Sequence, residues 1–148
     1  MHAKVVCATV LTAAAVVGAA HGSTGPAQVR ITDVQASYRY VPAAGGGTAG
    51  AIEIVRQRLY NVRLTSRPIG RADLVCTFLD ARERTCTGTY FLPKGTLVVA
   101  GAIQSRLFFQ IPVVGGTGLF DNARGALTVT STALRPQRRE VLLFRLTG

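Results

Sequence analysis

The sequence predicts an all-β domain in which consecutive antiparallel hairpins close into an up-and-down barrel. Two observations carry that expectation. Short runs with apolar residues at every second position return at near-regular spacing, bounded by glycine or proline turns, which is the pattern of a sandwich or barrel. Beyond the N-terminal segment, no stretch holds an apolar face at helical spacing with capping residues at its ends. Closing such a chain into a ring removes the sheet edges that invite aggregation. A chain of 148 residues has room for one domain of this kind.

The first segment reads as an export signal. Lys4 supplies a positive start, Val5 to Ala20 is almost unbroken apolar sequence, and the small residues Gly18, Ala19, Ala20, Gly22 and Ser23 end it. That is the three-part pattern of a secretory signal. The alternative is a membrane anchor, but the run is shorter than the roughly 20 apolar residues that cross a bilayer. The expectation is a signal peptide over 1–22, a secreted domain over 23–148, and no membrane span in the mature form.

The strands follow in order. "QVRITDVQASYRYV" sets Val29 and Ile31 against Arg30 and Thr32. If Asp33 shares the face of Val29 and Ile31, it points into the interior. A carboxyl group in an apolar cavity has a raised pKa and serves as a general acid or base, which makes Asp33 the catalytic candidate; the alternative is a solvated strand residue. "VPAAGGGTAG", Val41 to Gly50, cannot pack a core and reads as a loop at one barrel end, either gating a ligand mouth or lying plainly on the surface. "AIEIVRQRLYNVRLT" starts on Ile52 and Ile54 and ends on Tyr60, Val62 and Leu64. Arg56 and Arg58 are in phase with that apolar set. Without a bulge they face inward, where they would bind a carboxylate or polarise a carbonyl; a bulge would turn them outward. Tyr38 and Tyr60 are candidates to orient a ligand, as are Tyr40 and Tyr90, with packing as the alternative.

"ADLVCTFLDARERTCTGTYFL" reads as two strands around a polar turn at Asp80 to Arg84, placing Cys76 opposite Cys86. Of the three cysteines, Cys7 falls in the signal, and an even pair in an exported domain reads as a disulfide. The alternative is two reduced core thiols. No metal site is expected, since a pair of thiols has no nearby histidine to complete a tetrahedron. The only histidines, His2 and His21, lie in or beside the signal. Ser-His-Asp and Cys-His machinery is therefore not expected in the mature domain. "TLVVAGAI" follows the turn Pro93-Lys94-Gly95, and then comes "SRLFFQIPVV". "ALTVTSTAL" sets Leu127, Val129 and Ser131 against Thr128, Thr130 and Thr132, and "EVLLFRLT" ends the series.

The formal net charge of +10 comes almost wholly from arginine, with Lys4 and Lys94 the only lysines. A basic domain can bind nucleic acid. Here the arginines are scattered apart from Arg138-Arg139 and the run from Arg56 to Arg71, and export argues against an intracellular polyanion, so no nucleic-acid partner is expected.

Between two strands lies "VVGGTGLFDNARGALTV", whose glycines invite comparison with a phosphate cradle. Such a cradle needs a helix after the glycines. None is predicted here, no GK[ST] follows, and Asp121 occupies the last position of a G-x-G-x-x-G. No nucleotide and no other cofactor is expected. The glycines read instead as a tight reversal with positive φ, with Phe120 tucked beneath it and Arg124 placed to pair with Asp121 or to bond carbonyl groups.

This stretch resembles the signature of the dirigent proteins, which carry VVGGTG, then an aromatic residue, then ARG at this spacing; the related allene oxide cyclases carry a looser form. The residues that carry the likeness are Gly115, Gly116, Thr117, Gly118, Phe120, Arg124 and Gly125. "GTYFLPKGTLVVAG" and "EVLLFRLTG" also fit, so the resemblance runs from roughly Asp73 to the C-terminus. It implies a single eight-stranded antiparallel β-barrel with an apolar lumen, often trimeric, that binds a small hydrophobic molecule or intermediate. Members of that superfamily steer ring closure or radical coupling. The cyclase residues do not carry over. Where the plant cyclases have a proline and an asparagine before Lys-Leu-Tyr, this chain has Ile54 and Gln57. Cys76 lies near the cyclase cysteine but reads as bridged, and Asp33 is the only carboxylate on the first strand. The resemblance thus implies a relative with another substrate. Two functions remain in view: a dirigent- or cyclase-type steering barrel, and a non-catalytic secreted carrier or interaction barrel. An inward carboxylate or arginine near an open mouth would favour the first, and a lumen filled by side chains the second.

Overall fold

The computed structural model describes residues 27–62, 67–104, 107–132 and 139–147; the expected signal segment and Arg138 lie outside them. Eight strands run in chain order around a closed antiparallel barrel: β1 (Ala27–Val41), β2 (Ile52–Asn61), β3 (Gly70–Phe78), β4 (Arg84–Leu92), β5 (Gly95–Ile103), β6 (Phe108–Gly116), β7 (Arg124–Thr132) and β8 (Arg139–Thr147). A single turn of 3₁₀-helix, Gly118–Phe120, lies between β6 and β7. The barrel closes by pairing β1 with β8, from Ala27 opposite Leu146 to Val34 opposite Arg139. The all-β barrel read from the sequence is the fold.

The period-2 pattern decides which side chains enter the lumen. On β3, Ala72, Leu74, Cys76 and Phe78 are buried while Val75 and Thr77 are exposed. On β8, Leu142, Phe144 and Leu146 are buried in the same alternation. The barrel is not uniform along its axis. Its lower end carries the β2–β3, β4–β5 and β6–β7 connections, and there the lumen is filled by fully buried Leu59, Tyr90, Leu97, Leu127 and Phe144. The Tyr90 and Phe144 rings meet edge to face with centroids 5.1 Å apart. Each such side chain contributes about 1.5–3 kcal/mol by leaving water, and eight strands make an interior just wide enough for this filling. The upper end carries the β1–β2, β3–β4 and β5–β6 connections. The loop expected at 41–50 lies there, tied to the β3–β4 hairpin where Gly50 N–H donates to the Phe78 carbonyl at 2.8 Å.

Two sequence expectations are corrected. On β2 the alternation is regular, but its inward set is Glu53, Val55, Gln57 and Leu59. Arg56 and Arg58 share a face with Ile52, Ile54 and Tyr60, as expected, yet that face is the outer one and both arginines are exposed. The physical reason is a choice between two sets. Facing the other way would bury two guanidinium groups side by side, whereas a glutamate and a glutamine find partners inside. The second correction concerns the β3–β4 turn. Arg84 is not a turn residue; it is the first residue of β4, opposite Phe78, and it is buried.

The glycine segment is the reversal between β6 and β7 at the lower end. Its amides are taken by the protein itself. Thr117 N–H donates to Thr96 O, Leu119 N–H to Lys94 O and Asp121 N–H to Gly118 O. Gly118 has φ of +64°, and a Cβ there would sit against the Lys94 carbonyl. Gly125 has φ of +135°, and a Cβ there would collide with the Arg145 carbonyl. Both positions demand glycine for backbone reasons. Phe120 packs partly buried against the core, and Arg124 bonds a carbonyl, Nη1 to Ala123 O at 3.0 Å.

Candidate functional site

The upper lumen gathers polar side chains that the lower lumen lacks. Asp33 on β1 faces Glu140 on β8, which in turn faces Ser131 on β7. Glu140 is the hub of this row. Its Oε1 accepts from Ser131 Oγ at 2.9 Å, its Oε2 accepts from Gln57 Nε2 at 3.3 Å, and its backbone N–H donates to Asp33 Oδ1 at 3.1 Å. The first of these lies within the β7–β8 hairpin, whereas the other two bridge residues 83 and 107 positions apart and are assembled only by barrel closure.

A second row lies nearer the rim. Glu53 sits opposite Cys76, and Cys76 opposite Cys86, to which it is joined by a disulfide. Arg84 reaches across β3 so that its Nε lies 3.5 Å from Glu53 Oε2, with both side chains at least nine-tenths buried. The Arg84 guanidinium also stands 5.8 Å from the centre of the Phe78 ring, within the roughly 6 Å at which a cation is attracted to an aromatic face.

Between these rows is a cavity of about 50 Å³, walled by Gln35, Glu53, Gln57, Arg84 and Glu140 on its polar side and by Val55, Leu74 and Phe109 among its apolar walls. Above it, at the mouth, Arg84 also borders an open cleft of about 650 Å³ formed with Phe78, Gln104 and the β3–β4 turn. That turn is fixed by Asp80, whose Oδ1 accepts from the N–H groups of Arg82 and Glu83 at 2.6 and 2.7 Å. These two bonds hold the Asp80 carboxyl below its usual range.

The expected site residues divide between the two faces. Asp33 points inward and is fully buried, but it stands behind Glu140 rather than lining the cavity. Tyr38 and Tyr40 lie on the inward face above Val55 and Glu53, reached because a bulge between Gln35 and Ser37 shifts the phase of β1 by one residue. Both are more than two-fifths exposed at the rim, and Tyr40 meets Phe78 edge to face at 6.0 Å. Tyr60 is on the outer wall opposite Thr32. Arg56 pairs with Asp73 at 3.4 Å out in solvent, where an ion pair is worth little. Glu53, Gln57, Arg84, Ser131 and Glu140 were not singled out by the sequence as site residues. Their signal was phase: Arg84 keeps step with Cys86 and Tyr90, and Glu140 with Leu142 and Phe144.

Tyr90, at the boundary of floor and network, holds its phenol proton well above the usual range. Burial is the main cause, and the negative charges of Asp33 and Glu140 add to it. The folded state keeps this proton at a pH where the unfolded chain has released it, so the unfolded state binds fewer protons there. This contribution to stability is complete below about pH 10 and falls as pH rises further. Alkaline titration followed at the tyrosinate absorption band should show Tyr90 ionising only with unfolding, and Tyr90→Phe should flatten the loss of stability above about pH 10. A Tyr90 that ionises reversibly in the folded protein would contradict this burial.

No protein-family model and no curated protein matches the chain. Solved structures do. A pyocyanin demethylase superposes with a TM-score of 0.70 at 20% identity, over 82% of this chain and 100% of that one. The pterocarpan synthase dirigent protein GePTS1 gives a TM-score of 0.65 at 15% identity, over 95% and 100%. The Diels–Alderase AbmU from Streptomyces koyangensis gives 0.63 at 18% identity, over 81% of this chain and 64% of that one. What is shared at these identities is the barrel fold, and dirigent proteins and cyclase-type barrels are among the proteins that have it.

Proposed function

We propose that this barrel binds a small, largely apolar molecule at its upper end and steers the molecule's ring closure or coupling. The observation that carries this reading is the placement of inward carboxylates and one buried arginine beneath an open mouth, above an apolar floor. A carrier would need only the apolar walls, whereas burying ionisable groups carries a desolvation cost that even pairing does not always offset. In the proposed mechanism the walls fold the substrate so that its reacting atoms meet, and this proximity supplies most of the rate. Glu140 or Glu53 exchanges a proton with the substrate, an effect worth about 10²–10⁴-fold. Arg84 stabilises negative charge that develops on a carbonyl or phenolic oxygen. Asp33 acts as a positioning residue through the Glu140 backbone. Export is part of the same proposal, supported by the Cys76–Cys86 disulfide.

The test is a thermal-shift panel of neutral phenols and polyenes against the wild type and Val55→Trp, which would fill the cavity. At least one ligand should stabilise the wild type, by about 2.7 kcal/mol at a hundredfold excess over its Kd, and Val55→Trp should abolish the shift. A panel without effect, or a shift that survives in Val55→Trp, would overturn lumen binding.

A further inference from the structure

The fold sorts the charges of the chain. Of its seven acidic residues, Asp33, Glu53 and Glu140 are buried in the lumen, and Arg84 is the only basic residue buried with them among the described residues. Asp80 and Glu83 lie in the β3–β4 turn, and Asp121 follows the 3₁₀ turn. Asp73 is thus the only acid on the outer face of a strand. The outer faces of β4, β5 and β6 carry no charged residue, and β7 contributes only Arg124 beside the lower turn. The basic charge of the wall is gathered on β8 and on β1 to β3.

Strand register aligns part of that charge in one row. Arg139 on β8 and Arg58 on β2 flank Val34 on β1. Arg58 lies opposite Arg71 on β3, and Arg71 opposite Phe91 on β4. At about 4.8 Å per strand, the three arginines span about 14 Å across the sheet. Like charges directly opposite each other on one sheet face repel, and the acid at hand is already shared. Asp73 lies 3.4 Å from Arg56 Nε and 3.7 Å from Arg71 Nε. Arg58 has no ion-pair partner among the described residues. The Arg71 guanidinium stands over the Phe91 ring, 4.1 Å from its centre, a contact that holds the cation and covers the aromatic face.

We propose that this row is a docking face for an acidic polysaccharide, whose sulfate or carboxylate groups bridge Arg58 and Arg71 and reach on toward Arg139. An oxyanion between two guanidinium groups turns their repulsion into a shared attraction, and the planar fork of arginine matches such groups with paired hydrogen bonds. A linear polyanion fits better than a single anion, because the charge continues along the row and the field is one-sided, with the uncharged β4–β6 wall facing away. Proteins that hold single-stranded nucleic acid stack its bases on exposed aromatic rings; the ring on this row is covered by Arg71. The choice of a polysaccharide over a nucleic acid also rests on the export reading above, while the face itself is independent of lumen binding.

The experiment measures binding of three polyanions by calorimetry at physiological salt: heparin, polygalacturonate and a random-sequence DNA duplex, matched in number of charges. At least one polysaccharide should bind the wild type more tightly than the duplex does. Arg58→Gln combined with Arg71→Gln should weaken that binding by about tenfold or more and lower the slope of its salt dependence by about one to two. Lys94→Gln combined with Arg145→Gln removes the same charge from exposed positions off the row. That control should change affinity by less than about threefold, since charges beyond a Debye length of about 8 Å are largely screened. Val55→Trp alters the lumen alone and should bind the polysaccharide as the wild type does. If the Arg58 and Arg71 double variant does not fold, the two single variants, each compared with Lys94→Gln, take its place. Equal losses in the row pair and the control pair, or a comparable loss in Val55→Trp, would overturn the docking face. A duplex that binds as tightly as both polysaccharides would overturn the choice of polysaccharide. If no polyanion binds, the docking face is wrong and the lumen reading stands on its own panel.

Discussion

Arg84→Met is expected to destabilise the barrel by about 3–5 kcal/mol, the cost of leaving one member of a buried ion pair without the other. Glu53 would remain in the lumen with its side chain 6% exposed and its Arg84 partner 3.5 Å away removed. The companion double variant, Glu53→Leu with Arg84→Met, should recover most of that loss, because replacing both partners by apolar groups of similar volume is often close to neutral. Urea denaturation followed by circular dichroism would give all four corners of the cycle. A single-variant loss below about 1 kcal/mol would mean that mouth water screens the pair as it does a surface one. The result bears on function as well as stability. If the double variant is as stable as the wild type, the pair is not retained for folding, and its place at the mouth becomes the reason for it.

The second large effect concerns the Cys76–Cys86 disulfide, which links β3 to β4 with a sequence separation of 10. Closing a loop of that length removes chain entropy from the unfolded state worth about 2.7 kcal/mol. Replacing both cysteines by alanine should therefore lower stability by about 3 kcal/mol, the additional loss coming from sulfur atoms removed from the core. Equilibrium denaturation of the double variant, beside the wild type with and without reductant, is the measurement. Reduction should reproduce most of the loss seen in the variant. If the reduced wild type is as stable as the oxidised protein, the bridge does not act through the unfolded chain.

How far the sequence reached differs between the wall and what the wall encloses. The strands could be read because alternation is local: five or six residues of β3 or β8 are enough to show it. The hairpin disulfide could be read for the same reason, since Cys76 and Cys86 lie symmetrically about one turn. Gly118 and Gly125 marked a reversal that only glycine can make. The lumen network could not be read in this way. On β2 both alternating sets contain apolar residues, Ile52 and Ile54 on one face and Val55 and Leu59 on the other, so composition does not say which set turns inward. The choice is made by neighbours that sequence distance hides: Glu140 lies 83 positions from Gln57. On β1 the bulge between Gln35 and Ser37 moves the inward phase from Asp33 to Tyr38 and Tyr40, and no residue there announces it. Arg84 was lost to a turn one residue too long. Its phase with Cys86, two positions on, was the available clue.

The pairing of β1 with β8 also sets an order of assembly. Every other pairing joins strands that follow one another along the chain, and a hairpin of that kind forms in about 1–10 μs. The last seam joins residues more than a hundred positions apart, such as Asp33 and Glu140, and so waits on a slow, high-separation encounter. A chain emerging from its N-terminus can thus build most of its wall while it is still incomplete, yet it holds no working interior. Glu140, the hub of the network, arrives on the final strand. The cavity and the network around Glu140 come into being together, after the nine residues of β8 have been delivered.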